Sequence, residues 1–293
     1  MKREMLAWYR ESARDYPWRG AAIDAYTVLV SEFMLQQTQA RTVAKRLPEF
    51  LEQFPSIAAL ANATNGIMLK AWQGLGYNSR ALRLRDAAIV VRDNHASRVP
   101  EDPAALIKLS GIGTYASASI VCFAYNKPVV VIDVNIRRVY SRYMRRQPTT
   151  ATVEPESVVR VFAEKILPRT NAAEWYHAVM DLGAHICTAR KPLCEACPLQ
   201  ASCPSAGVML EATRSKRPEP TFYGHPNRIW RGRIVKLLNG TATAAAITPR
   251  RLFKELTSTT ATSADIAWLD GVLKSLQADG MLARKGSAIS SVR

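Results

Sequence analysis

The sequence predicts a mainly α-helical protein that ends in a small winged-helix-like domain. Apolar residues recur every three or four positions through segments 27–54 and 104–125, and strict alternation is rare. Between 228 and 280, three short periodic segments are separated by Gly, Pro and Ser, and a hairpin-like stretch at 281–292 follows them. Three helices followed by a β-ribbon are typical of a winged helix, although a small packing domain fits the same pattern.

A change in composition divides the chain. Its length of 293 residues fits about two domains. Proline, glycine and charged residues accumulate after residue 203, and we assign 206–226 to a linker. The predicted domains are therefore residues 1–205 and residues 227–293.

The balance of charge favours a nucleic-acid partner. The chain has a formal net charge of +16, which would attract it to phosphate backbones. Ribosomal and membrane-surface proteins can be equally basic. No apolar stretch approaches the roughly 20 residues that span a bilayer, and the N-terminal segment lacks the features of a secretory signal. We therefore expect a protein of the cytoplasm, associated with the nucleoid, with no membrane partner.

The spacing of four cysteines, C-x6-C-x2-C-x5-C, is the strongest chemical signal. Four thiolates without histidine fit tetrahedral zinc or a [4Fe–4S] cluster. Disulfides are disfavoured without a secretory signal, and the spacing differs from the two C-x2-C pairs of a zinc ribbon. We therefore rank an iron–sulfur cluster above zinc. The fifth cysteine, Cys122, lies in an apolar run and is predicted to be a core residue. The candidate ligands are Cys187, Cys194, Cys197 and Cys203.

A glycine turn between two predicted helices is a second motif. Gly111 and Gly113 would permit a tight turn with positive φ, from which backbone N–H groups and a helix N-terminus can point at one phosphate. This pattern indicates a helix-hairpin-helix. Such a turn can also be only a tight connection.

An aspartate after an apolar run is the third motif. Asp133 follows residues 129–132 and precedes a predicted helix that carries Arg137, Arg138 and Arg142. Its side chain could serve only as a helix N-cap. That role is compatible with catalysis, because a helix start keeps the carboxylate ionised where it faces a developing cation.

The order of these motifs resembles the helix-hairpin-helix DNA glycosylase superfamily over roughly residues 15–205. The MutY-type branch, which removes adenine, is the most similar. The resemblance implies a two-lobed fold, with a six-helix lobe at about 26–132 and an iron–sulfur lobe formed by 1–25 and 133–205. The similar segments are PWR at 17–19, SEFMLQQTQ at 31–39, GLGYNSRA at 74–81 and MDLGAHIC at 180–187.

The resemblance implies catalytic roles. Glu32 would protonate the departing adenine, and Asp133 would stabilise the oxocarbenium ion that forms on the sugar. Asn135 belongs to the same motif as Asp133. Tyr115 stands where bifunctional relatives have the lysine that forms a Schiff base, so a monofunctional enzyme is expected, in which Tyr115 supports Asp133.

The resemblance also implies DNA contacts. Gln37 would wedge into the duplex, and Tyr77 would intercalate. The partner would be double-stranded DNA with adenine opposite 8-oxoguanine or guanine, bound by a monomer. The other positions that would contact DNA or substrate are Arg19, Gly111, Gly113 and Asp181.

Departures from the family pattern leave alternatives open. Val134 replaces the usual glycine after the catalytic aspartate, and Asn78 replaces a tyrosine, which admits removal of thymine or uracil opposite guanine. A non-catalytic iron–sulfur DNA-binding protein would be expected to lack Glu32 or Asp133. The C-terminal segment lacks the MutT-like domain of MutY proteins, and we assign the aromatic segment 222–225 to the linker. Basic residues at helical spacing could bind phosphates or form a solvated helix face; they are Arg228, Arg231, Arg233 and Lys236.

Overall fold

The computed structural model describes residues 1–20, 23–211, 219, 221–240 and 246–292. The chain forms two compact units, the first from 1–28, 100–108 and 112–216 and the second from 29–99, 109–111 and 217–293. The predicted mainly helical class is confirmed. Among the described residues, no helix is long and apolar enough to cross a membrane.

The two units group the chain differently from the predicted domains. Residues 112–132, assigned to the six-helix lobe, cluster with the cysteine loop, and the C-terminal segment clusters with 29–99. The predicted boundaries stay predictions. Within the predicted linker, residues 212–218 and 220 lie outside the described residues.

Helices build the first unit, and its core lies between α9 and α11. Gly183 of α11 allows this packing, because a Cβ atom there would lie 2.8 Å from the Cβ of Asn135 on α9. Trp175 and Tyr140 are fully buried, and the Trp175 indole donates a 2.9 Å hydrogen bond to the Tyr140 hydroxyl. The helices are α1 Lys2–Ser12, α7 Pro103–Leu106, α8 Thr114–Tyr125, α9 Val134–Met144, α10 Glu156–Ile166 and α11 Ala172–His185, with 3-10 turns at Cys194–Ala196 and Gln200–Ser202.

The second unit begins within α2 and contains the next four helices along the chain. Phe50 of α3 packs edge-on against Trp72 with ring centroids 5.8 Å apart, and both side chains are buried. Ser56 and Thr64 cap the N-termini of α4 and α5 with their hydroxyl oxygens. The helices are α2 Ala25–Leu35, α3 Ala40–Gln53, α4 Ile57–Ala61, α5 Asn65–Ala71 and α6 Ser79–Asn94.

The C-terminal segment of the second unit has the predicted winged-helix order. Three helices precede a two-stranded antiparallel wing, and Ile247 pairs with Ile289 as a third, single-residue strand position. Thr248 and Thr262 cap the second and third helices, the latter in a capping box with Asp265. The elements are α12 Asn227–Gly240, α13 Pro249–Thr257, α14 Ser263–Ala278, β3 Leu282–Lys285 and β4 Ala288–Ser291.

A small hairpin precedes α12 and was not predicted. Strands β1 Thr221–Phe222 and β2 His225–Pro226 are antiparallel. Phe222 stacks on Trp268 with centroids 3.7 Å apart, and its carbonyl accepts a 2.7 Å hydrogen bond from the Trp230 indole. The aromatic segment assigned to the linker therefore packs onto the winged helix.

The winged helix is attached to α5 and α6 within the second unit. The Asn65 side chain donates a 3.1 Å hydrogen bond to the Gly280 carbonyl and accepts one from Arg85. Gly280 has a φ of +69°, and a Cβ atom there would lie 3.4 Å from the Asn65 amide nitrogen. A glycine at this turn therefore keeps the contact close without strain.

Candidate active site and iron–sulfur loop

Asp133 is the N-cap of α9. Its Oδ1 accepts a 2.6 Å hydrogen bond from the Ile136 N–H, and its Oδ2 accepts a 3.0 Å hydrogen bond from the Asn135 side chain. Burial raises the pKa of Asp133 above its ordinary value, although the hydrogen bonds from Ile136 and Asn135 oppose that rise. The site thus holds an oriented carboxylate that is partly withdrawn from water.

Arg138 connects this carboxylate to the cysteine loop. It donates a 2.8 Å hydrogen bond to the Asn135 Oδ1, and Asn135 in turn donates to Asp133. It also donates to the carbonyls of Gly183 at 2.5 Å and Cys187 at 2.8 Å. Asp133, Asn135 and the first cysteine of the loop are therefore joined by one hydrogen-bonded chain.

The four predicted ligands lie around one cavity. All five cysteines are in the described residues and none forms a disulfide, and Cys122 is fully buried in the core as predicted. Burial, together with the charges of the three other loop cysteines, raises the pKa of Cys197 to about 11. The free-energy cost of ionising neighbouring thiols is offset when the thiolates bind a metal. The cavity is lined mainly by Ile186, Pro192, Leu193 and Met209 with Cys187, Cys194, Cys197 and Cys203.

The set of donor atoms fits an iron–sulfur cluster. Four thiolates without histidine can bind a [4Fe–4S] cluster, in which each thiolate binds a different iron. Cys187, Cys194, Cys197 and Cys203 would hold it.

Arg142 lies beneath this loop with only 1% of its surface exposed. It donates hydrogen bonds to the carbonyls of Thr150 at 2.9 Å and Thr188 at 2.7 Å, and lies 3.3 Å from the Cys187 sulfur. A buried guanidinium here fixes the loop and places positive charge beside a thiolate ligand. The positive charge of Arg142 thereby lowers the electrostatic cost of bringing four thiolates together.

Asp181 lies in a buried ion-pair cluster. Only 2% of its surface is exposed, and its carboxylate is bound by Arg14 and by Arg19, the latter at 2.8 and 3.0 Å. Burial raises the pKa of Asp181, but the two arginines outweigh this and hold it below the ordinary value. The cluster attaches the N-terminal segment to α11. A direct contact of Asp181 or Arg19 with DNA stays a prediction.

The helix-hairpin-helix turn connects α7 to α8, and only one of its glycines needs to be glycine for conformational reasons. Gly111 has a φ of +79°, and a Cβ atom there would lie 2.8 Å from the Phe33 ring. The positive φ of the predicted turn lies at Gly111 and not at Gly113, which is the extended N-cap of α8 with a φ of −98°. A Cβ atom at Gly113 would meet nothing within 4 Å. Its neighbour Tyr115, in the first turn of α8, is 38% exposed.

In the second unit, Glu32 lies on α2 with 6% of its surface exposed. Its neighbours along the chain, Phe33 and Met34, are buried apolar residues. Withdrawing a carboxyl group from water costs less free energy when the group is protonated. Glu32 therefore has the burial expected of a proton donor.

Gln37 and Tyr77 share an unusual backbone. Gln37 follows α2 with a φ of +61°, and Tyr77 precedes α6 with a φ of +46°. Bulky residues rarely adopt positive φ, and such strain concentrates at functional sites. Tyr77 is also 47% exposed. An exposed aromatic ring on a strained loop suits stacking on a base.

Three buried arginines have contacts that no sequence motif indicated: Arg80, Arg138 and Arg142. Arg138 and Arg142 are four residues apart on the buried face of α9. Two arginines four positions apart on the apolar face of a predicted helix were the sequence signal that could have indicated buried arginines.

Comparisons with known proteins agree with this geometry. The profile of the HhH-GPD superfamily base excision DNA repair proteins matches residues 30–164, and the iron-sulfur binding domain of endonuclease III matches 187–203. An adenine DNA glycosylase of Mycobacterium tuberculosis is 37% identical over 96% of this chain and 89% of its own length. The human adenine DNA glycosylase is 33% identical over 68% of this chain and 38% of its own length.

A solved structure supports the same fold. A thermostable thymine-DNA glycosylase superposes with a TM-score of 0.63 at 29% identity, covering 69% of this chain and 92% of that one. The match of the cysteine loop to the iron-sulfur domain, with four thiols around one cavity, makes the cofactor a [4Fe–4S] cluster. Together with the mycobacterial relative, which spans nearly the whole chain, these matches establish that the protein belongs to the MutY-type adenine DNA glycosylase family of the HhH-GPD superfamily.

Proposed function

We propose that the protein removes adenine from mispaired duplex DNA by hydrolysing its N-glycosidic bond, which leaves an abasic site. The observation that carries this proposal is the near-complete overlap with an adenine DNA glycosylase, at 37% identity over 96% of the chain. The thymine-DNA glycosylase covers a smaller part of the chain at lower identity. Adenine is therefore the preferred target over thymine or uracil.

The chemistry divides between two carboxyl groups. Bond cleavage leaves positive charge on the sugar and negative charge on the departing base, and water then adds to the sugar carbon. The buried Glu32 would give a proton to the adenine ring. The ionised Asp133 would stabilise the sugar cation, and its orientation by Asn135 and the Ile136 N–H supports that role.

Strand cleavage is not part of this activity. Tyr115 occupies the position where a lysine would form a Schiff base, and its phenol cannot form one. The enzyme would therefore be monofunctional, releasing the base and leaving the strand intact.

Two parts of the chain would engage the duplex. The hairpin around Gly111 and Gly113 would bind a phosphate through backbone N–H groups. Gln37 and Tyr77 would occupy the space that the flipped adenine leaves. The positive φ of Gln37 and of Tyr77 supports this assignment.

The winged helix would extend the DNA contact. Residues 221–292 contain ten Lys and Arg residues against four Asp and Glu residues. A cleft of about 150 Å³ lies between the loop 76–79 and the start of α12, where Arg228 and Arg231 line it. Each of these arginines is paired with a carboxylate, at 3.4 Å to Glu219 and 2.5 Å to Asp279. Exposed pairs of this kind contribute little stability, so phosphates can replace the carboxylates.

The partner would be double-stranded DNA with adenine opposite 8-oxoguanine or guanine, bound by a monomer. An enzyme that repairs DNA would act in the cytoplasm, at the nucleoid. The positive net charge of +16 supports this association.

Isosteric variants of the two carboxyl groups test the proposal. Glu32→Gln and Asp133→Asn should each lower single-turnover adenine release by at least about 100-fold while duplex affinity stays within a few-fold. Asp102→Asn is the matched control, because Asp102 is an exposed N-cap of α7 that accepts a hydrogen bond from the Ala104 N–H, and asparagine can also act as an N-cap. Normal release by the Asp133 variant would reduce Asp133 to a helix cap.

A further inference from the structure

Arg80 is a buried cation held by carbonyl groups. Only 5% of its surface is exposed, and among the described residues it has no salt bridge. Burial lowers the pKa of Arg80 to about 10, so the guanidinium remains charged at neutral pH. Its acceptors are the carbonyls of Phe33 at 2.8 Å, Met34 at 2.9 Å, Gln36, Leu75 at 2.9 Å and Gly76 at 2.9 Å, and the Thr38 hydroxyl at 2.9 Å.

These acceptors come from two separate segments. Nη1 binds the end of α2, where the last carbonyls of a helix lack intrahelical partners and carry partial negative charge. Nη2 binds the Thr38 hydroxyl and the loop 75–76 that precedes α6. One guanidinium therefore joins the turn after α2 to the loop before α6.

Each joined segment contains one residue with positive φ. Gln37 lies between two residues that bind Arg80, namely Gln36 and Thr38. Tyr77 follows Gly76, and its own carbonyl lies 3.4 Å from the Arg80 Nε. Strain of this kind costs about 1–3 kcal/mol per residue and persists only where surrounding contacts enforce it.

Other contacts support the same junction. The Thr38 hydroxyl donates a 2.9 Å hydrogen bond to the Leu75 carbonyl, and the Trp72 indole donates one of 3.2 Å to the Gly76 carbonyl. The Arg80 guanidinium also lies over the Trp72 ring, 5.4 Å from its centroid. It also lies over the Tyr77 ring, 5.7 Å from its centroid, so the charge of Arg80 is stabilised by acceptors at its edges and by two aromatic rings.

We propose that Arg80 is a positioning residue that holds Gln37 and Tyr77 together as one preformed wedge. This inference rests on the proposed function, in which these two side chains fill the gap left by the flipped adenine. Preforming the wedge removes the cost of ordering both loops when the base leaves the stack. Lysine cannot substitute fully, because an ammonium group is a single point of charge and lacks the planar fork that reaches both segments.

Excision rates of Arg80 variants provide the first test. With an A:G duplex under single-turnover conditions, Arg80→Gln should lower the rate of adenine release about 100-fold, the scale on which misplaced groups slow enzymes. Arg80→Lys should lose about tenfold. Arg92→Gln is the matched control on the same helix, because the half-buried Arg92 side chain binds Asn62 and Asp93, which lie outside both joined segments. The control should stay within twofold of the unmodified protein.

A double-mutant cycle separates positioning from general stability. If Arg80 acts through the wedge, then Arg80→Gln should cause no further loss in a chain that already carries Gln37→Ala and Tyr77→Ala. Multiplicative losses would overturn the proposal, as would normal excision by folded Arg80→Gln and Arg80→Lys variants. Circular dichroism at the assay temperature checks folding, and Arg80→Lys replaces Arg80→Gln in the cycle if the latter unfolds.

The proposed function can fail separately. If the unmodified protein releases no adenine, the proposed function is wrong. If it releases adenine but the cycle is multiplicative, only the role of Arg80 is wrong.

Discussion

An alanine substitution should destabilise the protein at Gly111 but not at Gly113, although both glycines belong to one turn. At Gly111 an alanine would adopt a φ of +79° and place its Cβ 2.8 Å from the Phe33 ring and 3.1 Å from the Arg83 Cβ. The left-handed conformation costs about 1 kcal/mol, and overpacking adds about 2 kcal/mol. At Gly113 neither cost arises, because φ is −98° and a Cβ would meet nothing within 4 Å.

The two costs predict distinct melting temperatures. Gly111→Ala should lose about 3 kcal/mol of unfolding free energy and lower the Tm by about 6–12 °C. Gly74→Ala isolates the conformational cost, because Gly74 has a φ of +89° with open space around its Cβ position. It should lose about 1 kcal/mol. Gly113→Ala should melt like the unmodified protein.

The affinity for DNA should fall in Gly113→Ala even though its melting temperature does not change. If a phosphate approaches the hairpin at this open position, the added methyl group obstructs it, and affinity for an A:G duplex should fall several-fold without a change in Tm. Calorimetry and fluorescence anisotropy measure the two quantities. Equal Tm losses at Gly111 and Gly113, or an unchanged Tm for Gly111→Ala, would refute the reasoning.

Three further predictions concern the carboxylate, the cofactor and the winged helix. Asp133 must be ionised to stabilise the sugar cation, and burial raises its pKa. The excision rate should therefore fall as the pH is lowered through a value above the ordinary pKa range of aspartate. A pH–rate profile that stays flat down to that range would contradict this. Purified protein should contain about four irons per chain, and Cys197→Ser should lose iron and DNA affinity together; stoichiometric zinc in colourless protein would refute the cluster. Removing residues 221–292 should weaken binding to all duplexes similarly and reduce the salt dependence of the affinity, because phosphate contacts carry little sequence information. Selective loss of the preference for 8-oxoguanine opposite adenine would instead show that this domain reads that base.

Local patterns predicted the secondary structure well. The periodic segments 228–240 and 263–280 correspond closely to α12 and α14, and the stretch 281–292 forms the wing. Thr248 as the N-cap and Pro249 as the first residue mark the start of α13, in agreement with helix-capping preferences. Such features depend on neighbours in sequence, so a single chain reveals them. The spacing of the four cysteines was informative for the same reason.

Long-range contacts were harder to anticipate. Arg80 reads as a surface residue of α6, yet its acceptors lie up to 47 positions away. The carboxylate of Asp181 is bound by Arg14 and Arg19, which are more than 160 positions away in the sequence. Gly113 looked equivalent to Gly111 because sequence reveals neither φ nor the position of Phe33. These features arise from packing between distant segments.

The identity of the released base tests the account most directly. The unmodified protein should be incubated in excess with duplexes containing A opposite 8-oxoguanine, A:G, A:C, T:G and U:G, and the released bases identified by chromatography. The account predicts free adenine, fastest opposite 8-oxoguanine or guanine, with an abasic site in an uncleaved strand. Release of thymine or uracil in preference to adenine, or no release from any duplex by iron-loaded protein, would contradict it.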